Sequence, residues 1–271
     1  MRRALAGCLA LSVAAPPLGV FLAIRRMSLM SDVLQHGVLP GIALGAAIGG
    51  LSVWAMGFGG ILAGMAVALL AGWFARRTGL GEDSQLAGLY LLALAAGVAL
   101  ISAQRGIDLT HLLFGSVLAV DDSALLAMAG AATMTLPALA LIWRPLILRS
   151  LDPDGVSPIW HGCFLALVVL CVVAGFAALG TLMSVGLMML PAIAARHWSA
   201  SLAGQVTIAV GFAIAASLIG LLVSFHLDIP AGPAIVLTAG VFWIAGLLAG
   251  RHDALLRPRA SMFAAPSAGA R

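Results

Sequence analysis

The sequence predicts an all-α, polytopic membrane protein with eight or nine transmembrane helices. Three observations carry that prediction. Of 271 residues, 62% are hydrophobic and 9% charged, with a mean hydropathy of +1.13, whereas a soluble domain is about 25% charged. Uncharged runs of span length recur from one end to the other, leaving no gap that would hold a soluble domain. The arginines collect in alternate loops between those runs.

A span needs about 20 apolar residues. Ala4–Ile24 is the first, with Pro16 and Pro17 expected to kink it. Val33–Ala75 is long enough for two, with a break expected near Gly57–Gly60. Leu86–Ala103 and Ser123–Trp143 supply one each. Gly162–Ala195 runs 34 residues without a charge, about 50 Å of helix against about 30 Å of hydrocarbon. Gly180, Gly186 and Pro191 divide it into a full span and a short or broken one. Ala203–Phe225 and Pro233–Gly250 complete the set. The residues from 252 to 271, rich in Pro, Ala, Ser and Arg, read as a disordered tail.

Arginine sets the orientation. The loops with Arg25 and Arg26, with Arg76 and Arg77, with Arg144 and Arg149, and with Arg196, together with the tail from Arg251, hold 11 of the 14 arginines. These loops alternate with others that hold Arg105 and the acids Asp108, Asp121, Asp122 and Asp228, so the first set faces the cytoplasm. Arg2 and Arg3 break the rule, because nine spans place the N-terminus outside. Either the first segment does not cross fully or the start is atypical.

Several function classes fall away. The basic residues are all Arg, scattered singly or in pairs, which is a topology signal and not a phosphate-binding patch, so nucleic acid is not an expected partner. The chain has no Lys, so it has no GxxxxGK[ST] phosphate loop. Cys8, Cys163 and Cys171 sit in apolar runs and read as small hydrophobes. No HExxH, GxSxG or CxxC is present, and Glu82 is the sole Glu, which excludes a paired-glutamate site. The chain is not expected to be an enzyme.

Ionisable groups at membrane depth are costly and mark functional candidates. Asp32 and His36 are four apart, on one face of a helix at the start of a long apolar stretch. Carboxylate and imidazole together suit a first-row divalent cation; two ligands alone give only a weak, transient station, which suits a transporter. A helix-start acid beside an interfacial His satisfied by water is the structural alternative. SFHLDIPAGP (Ser224–Pro233) places His226 and Asp228 on the outer side, with Pro230, Gly232 and Pro233 breaking the helix at an external mouth or simply capping a turn. DLTHLLFGSVLAVDD (Asp108–Asp122) reads as an external interfacial helix carrying His111. PAIAARHWSASLAG (Pro191–Gly204) reads as a short cytoplasmic helix that docks into another protein's groove or anchors at the interface through Trp198.

These stretches together resemble a family. RRMSLMSDVLQHGVLPGIALG is similar to the signature RRMSLxGDALSHAVLPGVALA of permease subunits of zinc and manganese ABC importers, the ABC-3 family. DLTHLLFGSVLAV, LGTLMSVGLMMLPAIAAR and DIPAGPAIVLTAGVFWIAGLL resemble three further stretches of that family, in the same order, and the likeness covers roughly Pro17 to Gly250. Ser31 stands where the family has Gly, and Gln35 where it has Ser; neither change removes a ligand. DPDGVSPIWHG, from Asp152, is shorter than the family's corresponding segment and lacks its helix-forming pattern.

The resemblance implies a transmembrane permease domain over residues 1–251, in the bacterial cytoplasmic (inner) membrane, with no permanently bound cofactor. It implies a cargo of a divalent transition metal ion (zinc or manganese, with iron also accepted by such ligands). It implies three protein partners: a second copy of the permease, a cytoplasmic ATP-binding subunit, and an extracytoplasmic metal-binding protein. Asp32 and His36 fall on the family's metal-contacting Asp and His, with Asp228 and His226 as a second candidate pair near the docked binding protein. Ala194, Ala195, Arg196, His197, Trp198 and Ser199 fall on the segment that couples to the ATPase. The competing class is a secondary cation transporter without an ATPase, which would need further buried acids than the sequence supplies.

Overall fold

The computed structural model describes residues 2–28, 30–50, 52–78, 82–103, 121–151, 157 and 159–250. The described residues form ten helices: α1 (Arg2–Ile24), α2 (Met30–Gly37), α3 (Leu39–Gly49), α4 (Val53–Thr78), α5 (Glu82–Ser102), α6 (Asp122–Leu151), α7 (Ile159–Leu179), α8 (Thr181–Arg196), α9 (Leu202–Leu227) and α10 (Ala231–Ala249). Seven of them, α1, α4, α5, α6, α7, α9 and α10, are long and apolar enough to cross a membrane.

The other two crossings come from shorter pieces. Helices α2 and α3 follow each other across Val38, and the bonds Val38 N to Leu34 O and Ile42 N to Val38 O, both 3.0 Å, carry the helical ladder through the junction. Together they make one interrupted span. Helix α8, with 16 residues, is the short piece expected after Gly180, whose φ of 84° ends α7 and starts α8. Among the described residues this gives nine candidate crossings, within the eight or nine expected, and an odd number puts the two ends on opposite faces.

The sequence misplaces one boundary. The break expected near Gly57–Gly60 lies instead at Gly50, where φ is 66°. Gly57 to Gly60 sit within α4, and most of the glycines there serve close approach. Glycines 37, 41, 45 and 49 recur every fourth residue on α2–α3 and face α4: a Cβ on Gly41 would strike Gly59 O, and one on Gly45 would strike Ala55 O. Small residues let these backbones touch, which is how helices gain packing in lipid.

Helix α1 is the most buried of the long spans, and it packs on α6, α7, α8 and α9. Pro16 and Pro17 lie inside it, both buried, and the helix continues past them. Phe21 meets Trp143 of α6 edge-on at 5.0 Å and Phe164 of α7 at 6.2 Å. Helices α2 to α5 form a second group, joined to the first chiefly through α7, with smaller contacts from α2 to α8 and from α4 to α6.

The charged ends agree with the crossing count. Arg3 donates to Asp122 at 3.0 Å, so the start of α1 and the start of α6 share one face, the outer one. Arg25, at the other end of α1, lies over the Phe164 ring at 5.1 Å and donates to Leu146 O and to His161 Nδ1, each at 3.3 Å. That places the end of α6 and the start of α7 beside it. Asp121, just outside α6, accepts from Ser123 Oγ and from Ala124 N, which hold its carboxyl below the usual carboxylate range. The expected interfacial helix with His111, the loop residues 152–156, and the tail from 251 lie outside the described residues.

Candidate metal site and cytoplasmic turn

Asp32 sits in the first turn of α2, where a carboxylate meets the positive end of the helix. His36 is one turn on. Asp32 Oδ1 and His36 Nε2 are 3.8 Å apart, too far for a hydrogen bond, and the side chains are 55% and 22% exposed respectively. An ion held tetrahedrally at about 2.1 Å from each ligand spaces them about 3.4 Å apart. A few tenths of an ångström of closure therefore suffices. Every other residue from Ser31 to Leu39 is buried, so these two form the open face of the helix.

The His36 ring is set by packing. The Tyr90 ring of α5 meets it edge-on, centroids 5.5 Å apart and planes at 62°. His36 Nδ1 is buried and makes no hydrogen bond to a described residue, and neither does Gln35 Oε1 beside it. Sequence reasoning missed Tyr90. The available signal was that it is the chain's sole tyrosine, set in an otherwise apolar span.

The second candidate pair lies on the opposite face of the membrane and is not brought to the first. His226 and Asp228 are both exposed at the outer end of α9. His226 Nδ1 lies 2.8 Å from Leu222 O. Asp228 adopts the left-handed conformation, φ 53°, and ends α9. Gly232 and Pro233 do not break a helix; they fall in the first turn of α10, where a backbone N–H has no helical partner anyway. The stretch is a tight external turn, closed by Ser224 Oγ donating to Ile229 O at 2.7 Å. Among the described residues, no group of three or more His, Cys, Asp or Glu gathers as a metal cage.

The segment Ala194–Ser199 forms no helix of its own. Helix α8 ends at Arg196, and His197–Ser201 make a turn into α9. Ser201 caps α9 by accepting from Gly204 N at 3.2 Å, and Gln205 Nε2 donates back to Ser199 O at 3.0 Å. Ala194 and Ala195 are fully buried, Arg196 is exposed, and His197, Trp198 and Ser199 are half-buried. Arg196, Ala200, Ser201 and Ala203 are thus the surface the turn offers to the cytoplasm.

Comparison with known proteins places the chain in a family. The chain is 32% identical over 251 residues to the manganese import system permease protein ScaB of Streptococcus parasanguinis, covering 90% of this chain and 88% of that one. It is 28% identical over 255 residues to the chelated iron transport system membrane protein YfeD of Yersinia pestis, covering 92% and 84%. Its fold matches a chain of PsaBC from Streptococcus pneumoniae, solved in complex with Fab, with a TM-score of 0.82 at 28% identity over 93% of this chain and 92% of that one. The ABC 3 transport family matches residues 1–250. This chain, a multi-pass protein of the bacterial inner membrane, belongs to the ABC 3 transport family.

Proposed function

We propose that the chain is the membrane-spanning permease of an ATP-driven importer of a divalent transition metal, with Asp32 and His36 as the station that holds the ion in transit. One observation carries the reading: a carboxylate oxygen and an imidazole nitrogen face each other across 3.8 Å on the single open face of α2. A half-exposed carboxylate within a span does not face lipid. It faces a path or a second copy, and two copies bring four ligands to one ion where a single chain brings two. The manganese and iron relatives support a metal cargo, and oxygen with nitrogen suits zinc, manganese and iron alike.

The work comes from elsewhere. The chain has no Lys and so no phosphate loop, which leaves ATP to a separate cytoplasmic subunit. That subunit docks at the turn from Arg196 to Ser201, and an extracytoplasmic metal-binding protein delivers the ion near Asp228. ATP binding and hydrolysis rock the two permeases between outward-open and inward-open states. The station must bind metal more tightly in the first than in the second for net import.

The test is cellular uptake of manganese and of zinc in the native host, comparing the intact gene, a deletion, and the deletion complemented with Asp32→Ala or His36→Ala. Loss of uptake in both variants, at normal membrane levels, is the expected result. Full uptake by either variant sinks the station.

A further inference from the structure

The half-buried side chains of the cytoplasmic turn point inward. Trp198 meets Phe212 of α9 edge-on, with centroids 6.4 Å apart, and Phe212 stacks flat on Phe242 of α10 at 5.1 Å with planes 6° apart. Three rings thus run from the turn through α9 to α10. The turn is also seated on the last residues of α10. A methyl group built on Gly246 would come 3.1 Å from Trp198 Nε1 and 3.3 Å from Ala194 O. One built on Gly250 would come 2.7 Å from His197 O and 2.8 Å from His197 Cβ. Both glycines therefore leave room for the turn and nothing more. Trp198 Nε1 and His197 Nδ1 are buried there and make no hydrogen bond to a described residue.

The two helices that receive the turn are close-packed where Gly220 meets Ile235. A methyl on Gly220 of α9 would come 2.5 Å from Ile235 Cα and 2.8 Å from Ile235 N of α10, so the two backbones are in direct contact. Helix α9 is in turn tied to α1 by Ser12 Oγ, 2.8 Å from Ser217 Oγ and 3.2 Å from Ala213 O. At its outer end the hairpin closes in the turn of His226 and Asp228. A close-packed contact transmits displacement, whereas a loose loop absorbs it.

We infer that Trp198 is a positioning residue that fastens the cytoplasmic turn to α9 and α10, so that displacement of the turn by the ATPase is carried by the α9–α10 hairpin toward the external face. The inference rests on the turn being the ATPase-coupling segment. It divides the turn by role: Arg196, Ala200 and Ser201 meet the partner, while Trp198 faces inward and passes the movement on. Because the indole N–H has no acceptor among the described residues, the role falls to the ring, and phenylalanine serves in its place.

The experiment uses the complete transporter, permease with its ATPase subunit and binding protein, in proteoliposomes supplied with manganese(II) or zinc(II). Metal imported per ATP hydrolysed and co-purification of the ATPase are measured for Trp198→Ala, Trp198→Phe, Phe212→Leu and Arg196→Glu. With Trp198→Ala the ATPase still co-purifies and still hydrolyses ATP, but import per ATP falls several-fold. Phe212→Leu repeats that loss without altering the turn, and Trp198→Phe restores near-normal coupling. Unchanged import per ATP in Trp198→Ala overturns the inference. So does release of the ATPase by that variant, which makes Trp198 a docking contact, or a Trp198→Phe variant no better than alanine. Should Trp198→Ala not reach the membrane, Phe212→Leu decides: normal coupling there overturns the inference. Arg196→Glu separates the two levels. If the ATPase still binds and responds, the coupling-turn reading itself fails; if binding is lost while Trp198→Ala couples normally, only the fastening role fails.

Discussion

Arg3 reaches Asp122 at 3.0 Å, across 119 residues of sequence, and so binds the first residues of the chain to the outer end of α6. The pair accounts for Arg3, one of two arginines on the side where arginine is otherwise scarce. Both side chains are well exposed, 61% and 71%, so the bridge is worth roughly 0–1 kcal/mol. Its consequence is topological. In a Cys163→Ser background, a thiol at Arg2→Cys reacts with a membrane-impermeant reagent added to intact spheroplasts, whereas one at Ser157→Cys reacts only after permeabilisation. The reverse pattern refutes nine crossings with an external N-terminus. Arg3→Ala leaves stability within about 1 kcal/mol of the parent.

Glycine at position 41 is required by contact, not by backbone angle. A Cβ there meets Gly59 O, whereas one on Gly57 of α4 meets nothing within 4 Å. Gly41→Ala thus forces α3 and α4 apart and costs on the order of 1–3 kcal/mol. Gly57→Ala is tolerated and gains slightly from better helix propensity. Thermal unfolding of both variants in detergent checks the contrast, and equal effects would contradict the packing.

Much of this was legible in the sequence, for physical reasons that differ by feature. The spans were readable because hydrocarbon demands length and apolarity, and Gly180 was readable because 34 uncharged residues are too many for one crossing. The Gly57–Gly60 break was misread because glycine has two uses, chain reversal and close approach, and composition does not separate them. Gly50, with its positive φ, took the first use, and Gly59 the second. Asp32 and His36 were legible as a pair by their spacing. Tyr90 was not, since its contact with His36 joins residues 54 positions apart, on different helices. The stretch around Trp198 reads in the sequence either as a docking helix or as an interfacial anchor; only the ring contact with Phe212 of α9, itself stacked on Phe242 of α10, shows that Trp198 faces in.

Tyr90 holds the His36 ring through its edge, with centroids 5.5 Å apart. Such an aromatic contact is worth about 1 kcal/mol, roughly fivefold in an apparent affinity. Tyr90→Phe keeps the ring and keeps metal uptake near the parent value. Tyr90→Ala frees the imidazole and raises the metal concentration for half-maximal uptake about fivefold, with less effect on the maximal rate. A concentration series of uptake measures both. If phenylalanine is as damaging as alanine, the phenol oxygen matters and the packing account is wrong.

Ser12 and Ser217 are both fully buried, and their hydroxyls lie 2.8 Å apart, linking α1 to α9 in the middle of the bundle. Ser12 Oγ also lies 3.2 Å from the carbonyl of Ala213, so one hydroxyl has two partners. Hydrogen bonds between helices in lipid couple by about 0.6 kcal/mol on average, less than the vacuum value suggests, because the separated helices find other partners. The helices approach here through small side chains, Ala213 and Ala216 among them, each fully buried, so alanine fits without strain. Ser12→Ala is expected to cost about 1 kcal/mol, because it removes both contacts and leaves a carbonyl without its second donor. Ser217→Ala is expected to cost less, since Ser12 keeps Ala213 O. The double alanine variant then falls short of the sum of the two by about 0.6 kcal/mol. Unfolding of all four proteins in mixed micelles closes the cycle, and strict additivity would show that the two hydroxyls do not interact.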